Sequence, residues 1–342
     1  MANFPRRRPT MKDVAKHAGV SVSTVSYVLN NSGPVKQYRK DRITDAIHVL
    51  GYSPNKTARS LKSRSASTIG LVVPELTNPF FAMVAEGVHQ AASKRDMLVV
   101  LVVPEVTEQV EERQLELLKT QQIDGLLYLS GTGSLPASIY DIARIGPVVL
   151  IDEQILGLNL PAVVCDSRKG AREVAGHVLQ QGHRHVAVIS GPPALWTAQQ
   201  RLAGYREAFA GAGLQPDDVP VYWGDYRQAS GRQLAALALQ AEPRPTALIC
   251  ANDLMALGAM ETCREAGLRV PEDVGIVGFD DLPFSALLTP SLTSVRQPAR
   301  EMGFRAATLL FDLLEGGAAR GTEVLQASVQ VRSSVVPPAG KR

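Results

Sequence analysis

A chain of 342 residues, 45% hydrophobic and 20% charged, suits two or three domains with large buried cores. Its net charge of +3 hides an asymmetry. Residues 1–67 hold 13 Lys and Arg against three Asp and Glu, and the rest holds 23 against 30, so a basic head precedes an acidic body, as expected when one end meets a polyanion. No apolar stretch is long enough to span a bilayer, and the basic arm 1–9 precedes no signal-type apolar segment, so a cytoplasmic protein without a membrane partner is expected. The odd set Cys165, Cys250 and Cys263 lacks CxxC spacing and reads as reduced structural thiols.

In chain order, residues 10–30, TMKDVAKHAGVSVSTVSYVLN, spell two short amphipathic helices. Thr10 with Asp13 forms a capping box, and Met11, Val14, Ala15 and Ala18 make one apolar stripe. Ser21 caps the second helix. There Val25, Val28 and Leu29 face the first helix, leaving Val22, Ser23, Ser26 and Tyr27 to enter a major groove. This is a DNA-reading helix-turn-helix. Thr10, Ser21, Thr24 and Asn30 complete its expected DNA contacts, while nearby cations hold phosphates. A third helix carries Ile43, Ala46, Ile47 and Leu50 on one face, with Lys36, Arg39, Lys40 and Arg42 near its start. Gly51 and Pro54 stop it.

Asn55 then caps a segment of about eight residues, below the roughly 12–15 at which helices become marginal in water. It should fold only on a partner. Residues 63–68 read as a linker.

From Ile69 apolar runs alternate with helical patterns, the mark of βα units and parallel sheets. Strands are expected at 69–74, 97–103, 125–129, 148–152 and 162–166, then at 185–190, 219–223, 247–250 and 274–279. Helices are expected at 79–94, 108–121, 168–181, 201–212 and 254–266, with Asn78 capping and Pro79 in the first turn of the first of them. Two similar lobes result. Ligands bind beyond the carboxyl ends of such strands, and the exits are polar: Asn78 with Phe80 and Phe81, Asp166, Trp196 and Arg201, Asp225 and Tyr226, Asn252 and Asp253, Asp280 and Asp281. Carboxylates, an amide and a guanidinium hold hydroxyl groups, and aromatic rings cover a sugar face or a base plane. Singly, Asp166, Asn252 and Asp253 read equally well as helix caps.

The segments MKDVAKHAGVSVSTVS, NNSGPV, GYSPNKTARSL, IGLVVPELTNPFF, GHRHVAVISGP, RLAGYREAF, ICANDLMALGAM and VPEDVGIVGFDDLPFSALLTPSLTSVRQP appear in the order found in the lactose repressor/galactose repressor family, which the chain resembles along essentially its whole length. The resemblance implies an all-α helix-turn-helix domain at 10–54 and a hinge helix and linker at 55–67. It implies an α/β core at 68–336 of two doubly wound parallel-sheet lobes, like the periplasmic sugar-binding proteins, and a tail at 337–342. Lobe 1 would comprise about 68–166 and 297–322, and lobe 2 about 167–296 and 323–336, with crossings near Asp166, near Arg296 and toward the C-terminus.

By the same resemblance, two hinge helices of a homodimer pack at the centre of a pseudo-palindromic operator. Asn55, Ala58, Arg59 and Leu61 would contact DNA there, with small Ala58 at the helix contact and Leu61 opening a base step from the minor groove. Phe80, Asp166, Trp196, Arg201, Tyr226, Asn252 and Asp280 are the expected effector residues. Tyr27 stands where many family members have a guanine-reading Arg, so the operator should differ at that base. The arm residues Arg6, Arg7 and Arg8 add phosphate contacts.

The expected function is a repressor of carbohydrate genes controlled by a sugar or sugar derivative, without catalysis, metal or cofactor. A purine or other metabolite corepressor is the alternative. A solute-binding protein fits the core but not the basic head, and a sugar-processing enzyme would need Asp280 and Asp253 as paired carboxylates. His183 and His185 lack zinc-site spacing and read as solvent-facing. The tail SSVVPPAGKR has no leucine heptads, favouring a dimer over a coiled-coil tetramer.

Overall fold

A computed structural model of the chain describes residues 9–30, 32–52, 68–103, 120, 122–129, 144–155, 160–318 and 321–338, and its N-terminal helices start and stop where local side chains dictate. Helix α1 spans Met11–Ala18. The Thr10 backbone N–H and hydroxyl both donate to the Asp13 carboxylate, at 2.7 and 2.6 Å, and Gly19 ends the helix at φ 61°, a conformation glycine adopts without a Cβ penalty. Helix α2 spans Val22–Asn30, with Ser21 Oγ accepting from the Thr24 N–H at 3.2 Å. Helix α3, Gln37–Leu50, stops at Gly51 with φ 59°. Val14, Ala15, Ala18, Val25, Ile43, Ala46 and Tyr52 are buried together, with Met11, Val28, Leu29, Ile47 and Leu50 packed around them. Tyr52 enlarges the small core beyond the three apolar stripes.

The chain separates into two compact units, Met1–Ala66 and Ser67–Arg342. In the second, strands β1 (Thr68–Val72), β2 (Leu98–Val102), β3 (Gly125–Tyr128), β4 (Val148–Ile151) and β5 (Ala162–Cys165) belong to one sheet. Strands β6 (Val186–Ser190), β7 (Val221–Trp223), β8 (Ala247–Cys250) and β9 (Gly275–Asp280) belong to another. Three further short strands, β10 (Thr293–Arg296), β11 (Thr322–Leu325) and β12 (Ser328–Gln330), complete them. The sheet orders are β11-β5-β4-β3-β1-β2 and β12-β10-β9-β8-β6-β7. Among the described residues all pairings are parallel except β10 with β12, so the two doubly wound lobes are as expected.

Helices α4 (Pro79–Ser93), α5 (Ser167–Gln180), α6 (Trp196–Gly211), α7 (Gln228–Ala238), α8 (Asp253–Glu265) and α9 (Ala299–Leu314) connect and cover the strands. Covered on both faces, β1, β3, β4, β5, β6, β8 and β9 are buried at every position, which is why they read as unbroken apolar runs. Helix pairs approach closely at glycine. A Cβ on Gly87 would strike the Arg300 carbonyl, one on Gly303 the Val84 carbonyl, and one on Gly204 the Arg168 carbonyl.

Asn78 caps α4 as expected, accepting from the Phe80 N–H at 3.0 Å. Helix α6 starts at Trp196, ahead of the expected 201. Its N-cap Leu195 offers no side-chain acceptor, so no capping signal marks the start, and burial of Thr197 and Ala198 holds the first turn instead. The expected helix 108–121 lies almost wholly outside the described residues. Strand β11 pairs with β5 through Leu325, so the last crossing falls between Leu325 and Ser328, later than the expected 323, because the register carries the strand to its end on the first sheet.

Candidate functional site

In the helix-turn-helix unit the outward face of α2 is as its spacing predicts. Val22 is 41% and Tyr27 50% exposed, whereas Val25 is wholly buried. Ser21 and Ser23 are exposed, and Thr24 and Ser26 half-buried. The hydroxyl of Ser21 lies 2.8 Å from those of both Ser23 and Thr24. Tyr27 leans back over the following turn, where a Cβ on Gly33 would lie 3.3 Å from the ring. Asn30 ends α2, but its side chain is not described. The hinge residues Asn55, Ala58, Arg59 and Leu61, and the arm Arg6 to Arg8, lie outside the described residues.

In the two-lobed unit the strand exits converge on Arg201. This side chain sits on α6 and is 3% exposed. One guanidinium nitrogen donates to the Ala251 carbonyl at 2.5 Å, and another lies 3.8 Å from Asp280. The guanidinium carbon is 4.0 Å from the Phe279 ring centre and 5.5 Å from that of Tyr226. Burial opposes the charge of Arg201, but Tyr226, Asp280 and Asp152 together hold its pKa above the ordinary value. Arg201, Tyr226 and Asp280 are therefore brought into one cluster.

Asp280 ends β9 with φ 101°, followed by Asp281 with φ 53°. Two consecutive non-glycine residues in the left-handed region are strained, and their surroundings hold them there. Asp280 accepts from the Gln297 amide at 2.8 Å, and Asp281 accepts from Arg296 and Arg332 at 2.7 and 2.6 Å. Beneath them the buried Asp253 accepts from Ser285, Ser294 and the Leu282 N–H, at 2.5, 2.5 and 2.7 Å. Asp253 thus organises this loop, and its oxygens are taken up in doing so rather than paired with Asp280 as an acid–base couple.

The other expected effector residues divide. Asn252 is buried, but its amide caps α8 through the Met255 N–H at 2.8 Å and donates to the Tyr226 carbonyl at 2.8 Å. Asp166 caps α5, accepting from the Lys169 N–H at 3.1 Å. In both, the local capping reading is realised. Phe80 is 3% exposed within the core, edge-on to Phe81 at 5.6 Å. Trp196 opens α6 and packs on the first-lobe cluster that includes Val72 and Ile155. His183, expected at the surface, is instead 1% exposed. Its ring nitrogens meet the Thr246 hydroxyl at 2.9 Å and the Val336 carbonyl at 3.0 Å, so the returning C-terminal segment buries it.

Several residues of the cluster escape a reading from local sequence. Glu153, next to Asp152 at the exit of β4, is 5% exposed. It accepts from both the hydroxyl and the backbone N–H of Thr197 on the opposite lobe. The Thr197 hydroxyl also lies 3.4 Å from that of Tyr226, and Glu75 pairs with Arg227 across the lobes at 3.4 Å. Burial, with Asp152 beside it, pushes the Glu153 carboxyl up to about 8. Burial likewise raises Asp152, and lifts Asp280 to about 8 against the pull of Arg201. The signal the chain does carry is the acidic pair Asp152 and Glu153 directly after an apolar strand.

A helix-turn-helix head and a two-lobed α/β body with a buried polar cluster at the strand ends define a sequence-specific DNA-binding transcriptional regulator. The chain belongs to the lacI family of bacterial regulatory proteins. The family model for these regulatory proteins matches residues 10–55, and that for a periplasmic binding protein-like domain matches residues 175–335. The chain is 33% identical to the HTH-type transcriptional repressor CytR of Escherichia coli (strain K12), over 95% of this chain and 96% of the relative. It is 34% identical to the ribose operon repressor of Halalkalibacterium halodurans, over 90% of each. Among solved structures it is similar to a complex of the transcriptional regulator CelR with cellobiose (TM-score 0.74, 34% identity). It is also similar to the Lac repressor dimer bound to operator and the anti-inducer ONPF (TM-score 0.86, 27% identity). Both likenesses cover 96% of this chain and 100% of the other.

Proposed function

We propose that this regulator represses carbohydrate-utilisation genes as a homodimer, and that a small molecule bound between the lobes sets its affinity for a pseudo-palindromic operator. The observation that carries the ligand-responsive part is the cluster of Arg201, Asp280, Tyr226, Asp152, Glu153 and Gln297, assembled from strand ends of both lobes. It has the form of a ligand site in an open α/β sheet, and among similar proteins one structure is named for its cellobiose complex. The working division of the chain is an arm, a helix-turn-helix domain, a hinge from Asn55 and a two-lobed core.

Repression needs the head ordered on DNA. Val22, Ser23, Ser26 and Tyr27 read base edges, Thr10, Ser21, Thr24 and Asn30 complete the DNA contacts, and nearby cations hold phosphates. The hinge residues Asn55, Ala58, Arg59 and Leu61 fold on the operator, so lobe closure and hinge ordering are coupled. Dimerisation is supported by the edge strand β2, whose Leu98 and Leu101 are 57% and 44% exposed. The test is fluorescence anisotropy on operator DNA with and without candidate ligands. A 100-fold ligand effect requires only about 2.7 kcal/mol of differential binding. Leu61→Ala should weaken specific binding far more than non-specific binding; equal loss of both contradicts the wedge.

A further inference from the structure

A cavity of about 530 Å³ lies beside the crossing strand β10 and is lined from both lobes. Met83 of α4 and the first turn of α9 contribute from lobe 1, the loop after β9 and Arg332 from lobe 2, and Arg296 with Gln297 from the crossing itself. Arg201, Tyr226 and Asp280 do not line it, so it is a separate space from the cluster described above. Its volume is that of a small-molecule site.

The charges in the lining specify the occupant. Outside residues 1–67 the chain holds 30 Asp and Glu against 23 Lys and Arg, yet three guanidiniums line this cavity, those of Arg296, Arg300 and Arg332. The Asp281 carboxylate, its side chain 5% exposed, accepts from Arg296 Nε at 2.7 Å and from Arg332 at 2.6 Å. One buried carboxylate is thus shared by two guanidiniums, a local surplus of one positive charge. Arg332 also donates to the Leu292 carbonyl, but Arg296 is engaged only through Nε, and its two terminal nitrogens have no partner among the described residues. The other lining charges are offset by neighbours: Glu86 pairs with Arg300, and Arg305, itself shared with Glu323, with Glu301. Helix α9 opens on the cavity behind Pro298, which offers its first-turn N–H groups no side-chain acceptor, and a helix start adds partial positive charge. A surplus of one charge suits a monoanion. The two oxygens of a carboxylate match the paired terminal nitrogens of an arginine, and Met83, Leu282, Pro283 and Pro298 present apolar surface beside them.

We infer that this cavity is a second ligand site, taking a small organic monocarboxylate with an apolar body, and that the bound anion acts on the effector cluster by drawing Arg296 away from Asp281. Asp281 follows Asp280, both in the left-handed region, and Arg296 and Arg332 are what hold it there. Gln297, in the same lining, donates to Asp280 at 2.8 Å. A changed hold on Asp281 therefore reaches Asp280 through one peptide bond. The site is independent of the effector reading above, and only its action on operator affinity rests on that reading.

The test is calorimetric titration of the full-length protein with butyrate, hexanoate, benzoate and phenylacetate, against benzyl alcohol and inorganic phosphate. At least one carboxylate should bind with a dissociation constant below about 1 mM, with the alcohol and phosphate weaker by about tenfold or more. Arg296→Gln removes the charge, and Ala286→Trp, at an exposed lining position, fills the space without touching a charge. Each should weaken the carboxylate by about tenfold or more. The wild-type panel and Ala286→Trp decide the matter if Arg296→Gln does not fold. Operator affinity, followed by fluorescence anisotropy, should change by about fivefold or more as the carboxylate saturates. Silence of all four carboxylates up to about 10 mM overturns the site, as does equally tight binding of the alcohol or of phosphate, or unchanged binding in a folded Ala286→Trp. Binding that leaves operator affinity unchanged overturns the action on the effector cluster. Each of these outcomes leaves the cleft reading standing, since that reading fails only if Asp280→Ala keeps its ligand response.

Discussion

A guanidinium nitrogen of Arg201 lies 3.8 Å from Oδ1 of Asp280, with both side chains at most 5% exposed. The pair joins α6 to the end of β9, yet burial still lifts Asp280 to about 8, so Arg201 only partly offsets the loss of water. Glu153 is raised to about 8 and Asp253 to about 7, again chiefly by burial. A carboxyl raised in the fold keeps its proton where the unfolded chain has lost it, so stability falls as pH rises from the ordinary carboxylate range to about 8. His177 and His183 are lowered by burial and act with the opposite sign only below about pH 6.5. Denaturant unfolding of the core should therefore show stability declining between pH 6.5 and 8.5. Asp280→Asn and Glu153→Gln should each reduce the slope, by up to about 1.4 kcal/mol per pH unit. A flat profile contradicts the assigned protonation.

Thr197 carries the contact between the lobes at Glu153. Thr197→Val keeps the shape and removes the hydroxyl donor, leaving the backbone N–H. Ligand affinity should fall about tenfold, or about 1.4 kcal/mol, with operator affinity of the ligand-free protein unchanged. Equal loss of both would mean that Thr197 supports the fold rather than closure.

Gly204 separates α6 from α5 by less than a methyl group. Gly204→Ala should destabilise the core by about 1–3 kcal/mol through overpacking, seen as a lower midpoint in thermal unfolding. The head, with its own core around Val25 and Ile43, should be unaffected when melting is followed by probes placed within it.

Tyr27 is half exposed on the reading face, and tyrosine cannot make the bidentate guanine contact open to arginine. Selection of binding sites from random DNA should show no strong guanine preference at that position. Tyr27→Arg should create one worth about 1–3 kcal/mol. The same selected sequence for both proteins would reduce Tyr27 to a sugar–phosphate contact.

What could be read from the residues is what short-range chemistry dictates. Thr10 with Asp13, Ser21, Gly19, Gly51 and Asn78 all act on backbone groups within a few positions, and the buried strands announce themselves as unbroken apolar runs. Asp166 and Asn252 show the limit of that signal: the chemistry that places a residue at a strand exit also makes it a helix cap, and both cap. The start of α6 carries no cap side chain. His183 is buried by Val336 and Glu153 by Thr197, partners far away in the chain that no local pattern reveals. Arg201, Tyr226 and Asp280 were legible because a strand exit is a position the fold class fixes; their common neighbour Asp152 needed the assembled sheet.

The most direct measurement of the central claim is operator affinity against ligand concentration for the wild type and Asp280→Ala, with folding of each verified by its unfolding transition. The wild type should change operator affinity by tenfold or more as the cleft fills, on the order of the usual allosteric coupling, while Asp280→Ala binds operator equally well without ligand and no longer responds. A variant that responds like the wild type would show that the effector acts somewhere other than the cluster around Arg201.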